Sequence, residues 1–313
     1  MKDNKTFCIY PWIHLNTWPD GKVFQCCLTG WRNHIGNLEN ESLEEIWNND
    51  YMKELRRSMM NGEKHWSCEK CYEQEEKGIN SSRLSANKNF KHHISRAFES
   101  TDADGYNHDF KLVYWDFRFS NICNFKCRMC GSFLSSKWAE EEQKNGGGLV
   151  NEKVIHIDNH TKENLKLSDY IDNFINDVEE VYFAGGEPLL MDDHYYVLQK
   201  LIEAGNTNCK IRYNTNLSKI KYKKHDCLEY WKHFDHVSIF ASIDDFGPRA
   251  EYARSGTVWK TVESNIKTIL KNAPDIELQT STTVNIWNIM HIPEIVDYLM
   301  SLGIPPYHIA MNN

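Results

Sequence analysis

Between residues 123 and 130 the chain reads Cys123-Asn124-Phe125-Lys126-Cys127-Arg128-Met129-Cys130, a CxxxCxxC loop directly after a strand-like run. Three thiols set so close must either be buried as small apolar groups or share a metal. Three thiolates can hold three irons of a cubane 4Fe-4S cluster, which leaves the fourth iron open to a ligand that is not protein. The plainer alternatives are a structural zinc loop or three buried thiols.

Composition narrows the setting. At 313 residues the chain has room for one large domain and a small one. Met1 to Tyr10 lacks the apolar core of a signal peptide, and no apolar stretch reaches membrane length, so the reading is cytoplasmic, with no membrane partner. Ten cysteines in that compartment predict metal or redox use rather than disulfides. The formal net charge of -8 disfavours nucleic acid as a partner, and the basic run Lys219 to Lys224 reads as a solvated loop face.

From Lys111 onward strand-like and helix-like segments alternate, as βα units around a parallel sheet do. Strands are expected at Leu112 to Ser120, Glu180 to Ala184, Lys210 to Asn214, His236 to Ile243, Ile276 to Val284 and Tyr307 to Met311. Helices are expected at Ser132 to Lys144, Ser168 to Asn176, Leu189 to Ala204, Val258 to Asn272 and Pro293 to Ser301. Six βα repeats are too few to close an eight-stranded barrel, so the fold class is α/β, an open partial (βα)6 TIM-like barrel with a small Cys-rich N-terminal module. The division is 1–80 for the module, 81–110 for a polar linker and 111–313 for the barrel. The pattern ends just after the sixth strand, which leaves open whether a C-terminal segment is missing.

In such a barrel functional groups gather at the C-terminal ends of strands. The cysteine loop follows strand one, and Gly185-Gly186-Glu187-Pro188 follows strand two. Glycines let backbone approach a ligand closely, and proline can start the next helix. Strand three ends in Asn214-Thr215-Asn216 and strand four in Ser242-Ile243-Asp244, with Arg249 and Arg254 beyond. Short polar side chains suit ribose hydroxyls, and a guanidinium suits a carboxylate. Each residue has the humbler alternative of a turn or cap.

The order of these motifs resembles the radical S-adenosylmethionine (radical SAM) superfamily. That resemblance implies that Cys123, Cys127 and Cys130 hold the cluster, and that its open iron binds the methionine end of S-adenosylmethionine. Cleavage there gives a 5'-deoxyadenosyl radical. It further implies cofactor contacts from Gly185, Gly186, Glu187 and Pro188 at the methionine amino group, from Asn216, Ser242 and Asp244 at the ribose, from Arg254 at the carboxylate, and from Val284 and Asn285 at the adenine. Met129 stands where the family usually has an aromatic residue, so altered packing against the purine is expected rather than lost binding.

The first strand carries a signal of its own. Val113, Trp115, Phe117 and Phe119 alternate with Tyr114, Asp116 and Arg118, which gives one apolar and one polar face. With the apolar face under the helices, Asp116 and Arg118 turn toward the lumen, either as lining of a substrate cavity and candidate catalytic residues or as a structural pair.

Near the N-terminus Cys8, Cys26, Cys68 and Cys71 form a second set, with Gly21 before Cys26 and Cys27 as a competing ligand. This order resembles the twitch module, a shortened relative of the SPASM domain, which implies an auxiliary 4Fe-4S cluster. Four ligands would leave no open iron, so such a cluster relays electrons. A zinc knuckle suits four thiolates equally by softness and geometry. One helix is expected around Leu43 to Met60, with Ser42 as N-cap. Trp12, Trp18, Trp31, Trp47 and Trp66 are expected as the module's core, and Cys209 and Cys227 as ordinary thiols.

The resemblance implies an oxygen-sensitive enzyme that abstracts hydrogen from a C-H bond, for peptide modification or for dehydrogenation of a small alcohol or sugar. Its partners would be that substrate and a reductant such as flavodoxin or ferredoxin. The alternative of another class is a noncatalytic iron-sulfur redox sensor or electron carrier, which accounts for the cysteines but not for the Gly185 to Pro188 turn.

Overall fold

Period-two alternation along the central strands sets the architecture, because it gives each strand one face for the core and one for the lumen. The computed structural model describes residues 4–162 and 166–312. Nine strands form the main sheet: β1 (His14–Thr17), β2 (Lys22–Phe24), β3 (Gly36–Asn37), β4 (Tyr114–Phe117), β5 (Glu180–Phe183), β6 (Lys210–Thr215), β7 (Val237–Ser242), β8 (Glu277–Thr283) and β9 (Ile309–Asn312). Their spatial order is β9-β8-β7-β6-β5-β4-β1-β2-β3. The run from β4 to β9 is parallel throughout, which is the six-stranded partial barrel expected.

Residues facing outward on these strands, among them Val181, Phe183, Ile211, Tyr213, Ile239 and Ala241, are buried. Helices Asp192–Glu203, Trp259–Asn272 and Ile292–Ser301 cover that face with stripes such as Val262, Ile266 and Ile269 at helical spacing. The concave face is different: Tyr182, Arg212, Asn214, Ser242 and Gln279 are polar or amphipathic and, like Phe240 among them, only half-buried. It is a groove along the sheet.

The N-terminal module is not a separate body. Its strand β1 pairs in parallel with β4, Asn16 beside Asp116, and β2 and β3 continue the sheet antiparallel. One core therefore runs from Phe7 to Ile304. The expected linker 81–110 also joins it: helices Ser82–Asn89 and Ile94–Glu99 form there, and Ala86, Phe90 and Ala97 are buried. Polar residues hide this because two short helices need only a few apolar anchors each. The helix expected over 43–60 is two, Leu43–Trp47 and Asp50–Met60, because Asn49 caps the second by accepting from Met52 N–H at 3.0 Å. Ser42 and Glu45 do form the capping box. Of the five tryptophans, Trp12 and Trp47 are core, whereas Trp31 and Trp66 are exposed. Cys209 and Cys227 are buried thiols. Among the described residues no helix is long and apolar enough to cross a membrane.

Two buried imidazoles make this core acid-sensitive. Burial pushes His14, stacked on Tyr114, down to about 4 and His194, bonded to the Tyr213 hydroxyl at 2.8 Å, down to about 3. Below about pH 6.5 the unfolded chain binds protons at these groups that the folded chain refuses, so stability falls as pH drops from there. At pH 5 each costs about 2 kcal/mol relative to pH 7. Urea midpoints of wild type and His194→Gln, each measured at pH 5 and pH 7, should show the variant losing about 2 kcal/mol less than wild type on going to pH 5; an equal loss would remove His194 from the account.

Candidate cluster and cofactor site

The cysteine loop is fixed before any metal is considered. Lys126–Cys127 pairs antiparallel with Arg254–Ser255, and Arg128 N–H donates to the Ala253 carbonyl at 3.0 Å. Cys123 N–H donates to Ser136 Oγ at 3.2 Å, and Phe125 is buried beneath. These restraints bring Cys123, Cys127 and Cys130 to one cleft at the C-terminal ends of the strands. Burial pushes all three thiols up, Cys127 to about 11 with Arg254 opposing. Thiols so placed are poor free nucleophiles and become thiolates when a bound cation holds the charge.

Sulfur spacing bears on which group fits. Among the described residues no three cysteine sulfurs lie within 4.8 Å of one another. A single tetrahedral zinc with bonds of about 2.3 Å draws its sulfurs to about 3.8 Å. Three thiols converging on one cleft are a donor set for a cubane, each of whose irons takes a different cysteine.

Gly185, Gly186 and Glu187 line the same cleft, as do Met129, Asn216, Ser242, Arg254 and Arg118. The glycines are dictated by the neighbouring loop. Gly185 has φ +81° and a Cβ there would sit 3.0 Å from Arg118 Cβ; at Gly186, φ +25°, it would sit 2.3 Å from the Ile122 carbonyl oxygen. Glu187 accepts from Thr215 Oγ1 at 2.6 Å, Leu189 N–H at 3.2 Å and Asn216 N–H at 2.7 Å. Burial pushes its carboxyl up to about 7 against those bonds and Arg254. Arg254 donates through Nε to Asp244 at 2.8 Å, while Nη1 lies 3.6 Å from Cys127 Sγ.

Four expected residues stand outside that lining. Pro188 starts a buried turn, Pro188–Leu190. Asp244 is buried behind Arg254, its second oxygen accepting from Thr283 N–H at 2.9 Å, so it acts on the cleft through Arg254. Val284 donates its N–H to Asn312, and Asn285 is committed to its own turn, donating to the Thr283 carbonyl and accepting from Trp287 N–H. Asn216 is tied to Asn124 at 3.1 Å, joining strand end to cysteine loop.

Asp116 and Arg118 form a pair of which only Arg118 lines the cleft. Arg118 Nε is 3.4 Å from Asp116 Oδ1, a structural pair. Asp116 is nevertheless fully buried with Oδ2 lacking any hydrogen-bond partner, while Arg118 reaches the cleft. The Arg118 guanidinium lies 4.9 Å over Trp18. Trp18 was not expected here, and nothing local announces it: the register of β1 on β4 puts it there.

In the N-terminal part, Cys8, Cys26, Cys27, Cys68 and Cys71 line one cavity. After burial, the influences that raise the Cys8 thiol come from Cys68, Cys26 and Cys71. Cys27 is exposed, and the charges acting on it include Asp116 and Arg118. Cys26 and Cys27 stand side by side at this cavity, Cys26 half-buried and Cys27 exposed.

The sequence profile of the Radical SAM superfamily matches residues 117–299, and that of SPASM, an iron-sulfur cluster-binding domain, matches residues 8–72. No curated protein matches the chain in sequence. Among solved structures, anSMEcpe with bound AdoMet and Kp18Cys peptide is 18% identical, over 63% of this chain and 49% of that one, with a TM-score of 0.42. SuiB of Streptococcus suis bound to precursor peptide SuiA is 15% identical, over 81% and 54%, with a TM-score of 0.42. The chain spans about half the length of these proteins, and likenesses so distant carry no argument about substrate. The profile match is another matter: it covers more than half of the chain and includes the cysteine loop and the glycine turn lining one cleft. The chain therefore belongs to the radical SAM superfamily, as an enzyme whose cofactors are a 4Fe-4S cluster and S-adenosylmethionine, with an iron-sulfur module of SPASM type ahead of its core.

Proposed function

We propose that this enzyme abstracts hydrogen from a C-H bond of a peptide lying along the concave face, with the cluster held by Cys123, Cys127 and Cys130. One observation carries the reading: the cysteine loop, the Gly185-Gly186 turn and Arg254 line a single cleft that also contains Arg118, Tyr182 and Asn214 of the concave face. When bound, the cluster and S-adenosylmethionine supply the 5'-deoxyadenosyl radical that takes the hydrogen. The chain's part is to bind and orient. Arg254, fixed by Asp244, is the cation for the methionine carboxylate. Glu187 Oε2 accepts from Asn216 N–H and retains capacity to accept from an amino group. Ser242 offers a hydroxyl to the ribose. Cys8, Cys26, Cys68 and Cys71 are the natural ligands of the auxiliary cluster, an electron relay.

The half-exposed groove favours an extended chain over a small alcohol or sugar, which a closed pocket would serve better. Anaerobically reconstituted protein given dithionite and S-adenosylmethionine is expected to release 5'-deoxyadenosine. Protein that takes up no iron at the loop and binds no S-adenosylmethionine would overturn the reading. With a substrate in hand, Asp116→Asn should retain cleavage of S-adenosylmethionine and lose product at least about tenfold, the scale of one missing polar contact of about 1.4 kcal/mol. Unchanged turnover would leave Asp116 a structural partner of Arg118 alone.

A further inference from the structure

At the N-terminal ends of the strands, opposite the cysteine cleft, two segments far apart in sequence bring metal-binding side chains together. His92 and His93 close the turn Lys91–His93, which leads into helix Ile94–Glu99. Glu179 lies just before β5, its backbone held by hydrogen bonds to Val113 and Lys210 at 2.8 Å each. His92 Nε2 is 2.8 and 3.0 Å from the two Glu179 carboxylate oxygens, across 87 residues of sequence, and His93 Nε2 is 2.7 Å from Oε1. The imidazole centroids are 4.2 Å apart. One ligand atom from each of the three residues lies within 4.8 Å of the others.

We propose that His92, His93 and Glu179 bind one late first-row divalent ion, zinc foremost, which clips the helical segment 82–99 to the base of the barrel. Two imidazole nitrogens with one carboxylate form a borderline donor set, suited to zinc and its neighbours rather than to magnesium or calcium. Three protein ligands leave a fourth tetrahedral position for water. Without an ion, both rings point the same nitrogen at one carboxylate, so two protons crowd against a single negative charge. A divalent ion takes their place and binds all three groups. The ligands are carried on settled backbone, because Phe90 and Ala97 on either side of the histidines are buried in the core. His93 is 14% exposed and His92 53%, which gives the site an entry path and makes its ion exchangeable.

Untagged, cluster-loaded protein titrated with Zn2+ under anaerobic conditions tests this, since iron then occupies the cluster cysteines. Wild type should take one zinc that His92→Ala/His93→Ala and Glu179→Gln each bind at least about tenfold more weakly. Wild-type affinity in both variants, or no uptake by wild type, would overturn the proposal. Zinc-edge anomalous diffraction from wild-type crystals removes the question of misfolded variants. A peak within bonding distance of all three side chains supports the site, and zinc found only elsewhere refutes it.

Discussion

Cys127→Ala should produce a folded protein that makes no 5'-deoxyadenosine. Cys127 meets Arg254 through backbone pairing, which a methyl side chain leaves in place, so the loop should keep its path. The variant loses one of three thiolates, and a cluster bound by two remaining cysteines has too few anchors to persist. Iron per chain should fall by about half, since the proposed auxiliary site is untouched by the substitution. Cys209→Ala is the matched control, because Cys209 is buried and lines neither cysteine cavity. Iron analysis and product chromatography on both proteins decide the matter. Wild-type release from Cys127→Ala would end the assignment of this loop.

Gly186→Ala should cost nearly as much without touching a ligand atom. At φ +25° the residue is in backbone territory that side chains disfavour, and the added Cβ would sit 2.3 Å from the Ile122 carbonyl oxygen and 2.7 Å from Met191 Cε. The same carbonyl accepts the Glu187 N–H at 2.7 Å, so pushing it away breaks the bond that holds the turn against the start of the cysteine loop. Strain and a lost buried hydrogen bond together amount to about 3 kcal/mol. Affinity for S-adenosylmethionine, measured by equilibrium dialysis on reconstituted protein, should drop by a factor of about 100. Gly147→Ala, where a Cβ meets nothing within 4 Å, should be neutral. Equal affinity in both variants would show that the turn does not hold the cofactor.

Much of the site was legible because its signals are local. A thiol set at fixed spacing, a Gly-Gly-Glu-Pro turn and the strand-helix alternation each fit in a few residues. The six parallel strands follow from them, and all three cluster cysteines and both glycines meet in one cleft. Reading strand one as a two-faced strand was likewise enough to place Asp116 and Arg118 on the lumen side. Val284 and Asn285 lie outside the lining of that cleft, and Asn285 spends its amide on the turn that contains it. Asp244 is a supporter of Arg254 rather than a lining residue, a difference that only its burial reveals.

By itself, then, the sequence determined the parallel alternation, the identity of the cysteines and the turn that meets them, since short-range spacing and backbone preference fix these. Tertiary structure decided what lies between the two cysteine sets. Parallel pairing of β1 with β4 joins residues 100 positions apart, as the hydrogen bond from Asn16 to the Asp116 carbonyl records. Such pairing leaves no local pattern, because its partners are chosen by the core that both strands share. That contact brings Trp18 under Arg118 and makes one sheet of what reads as two domains.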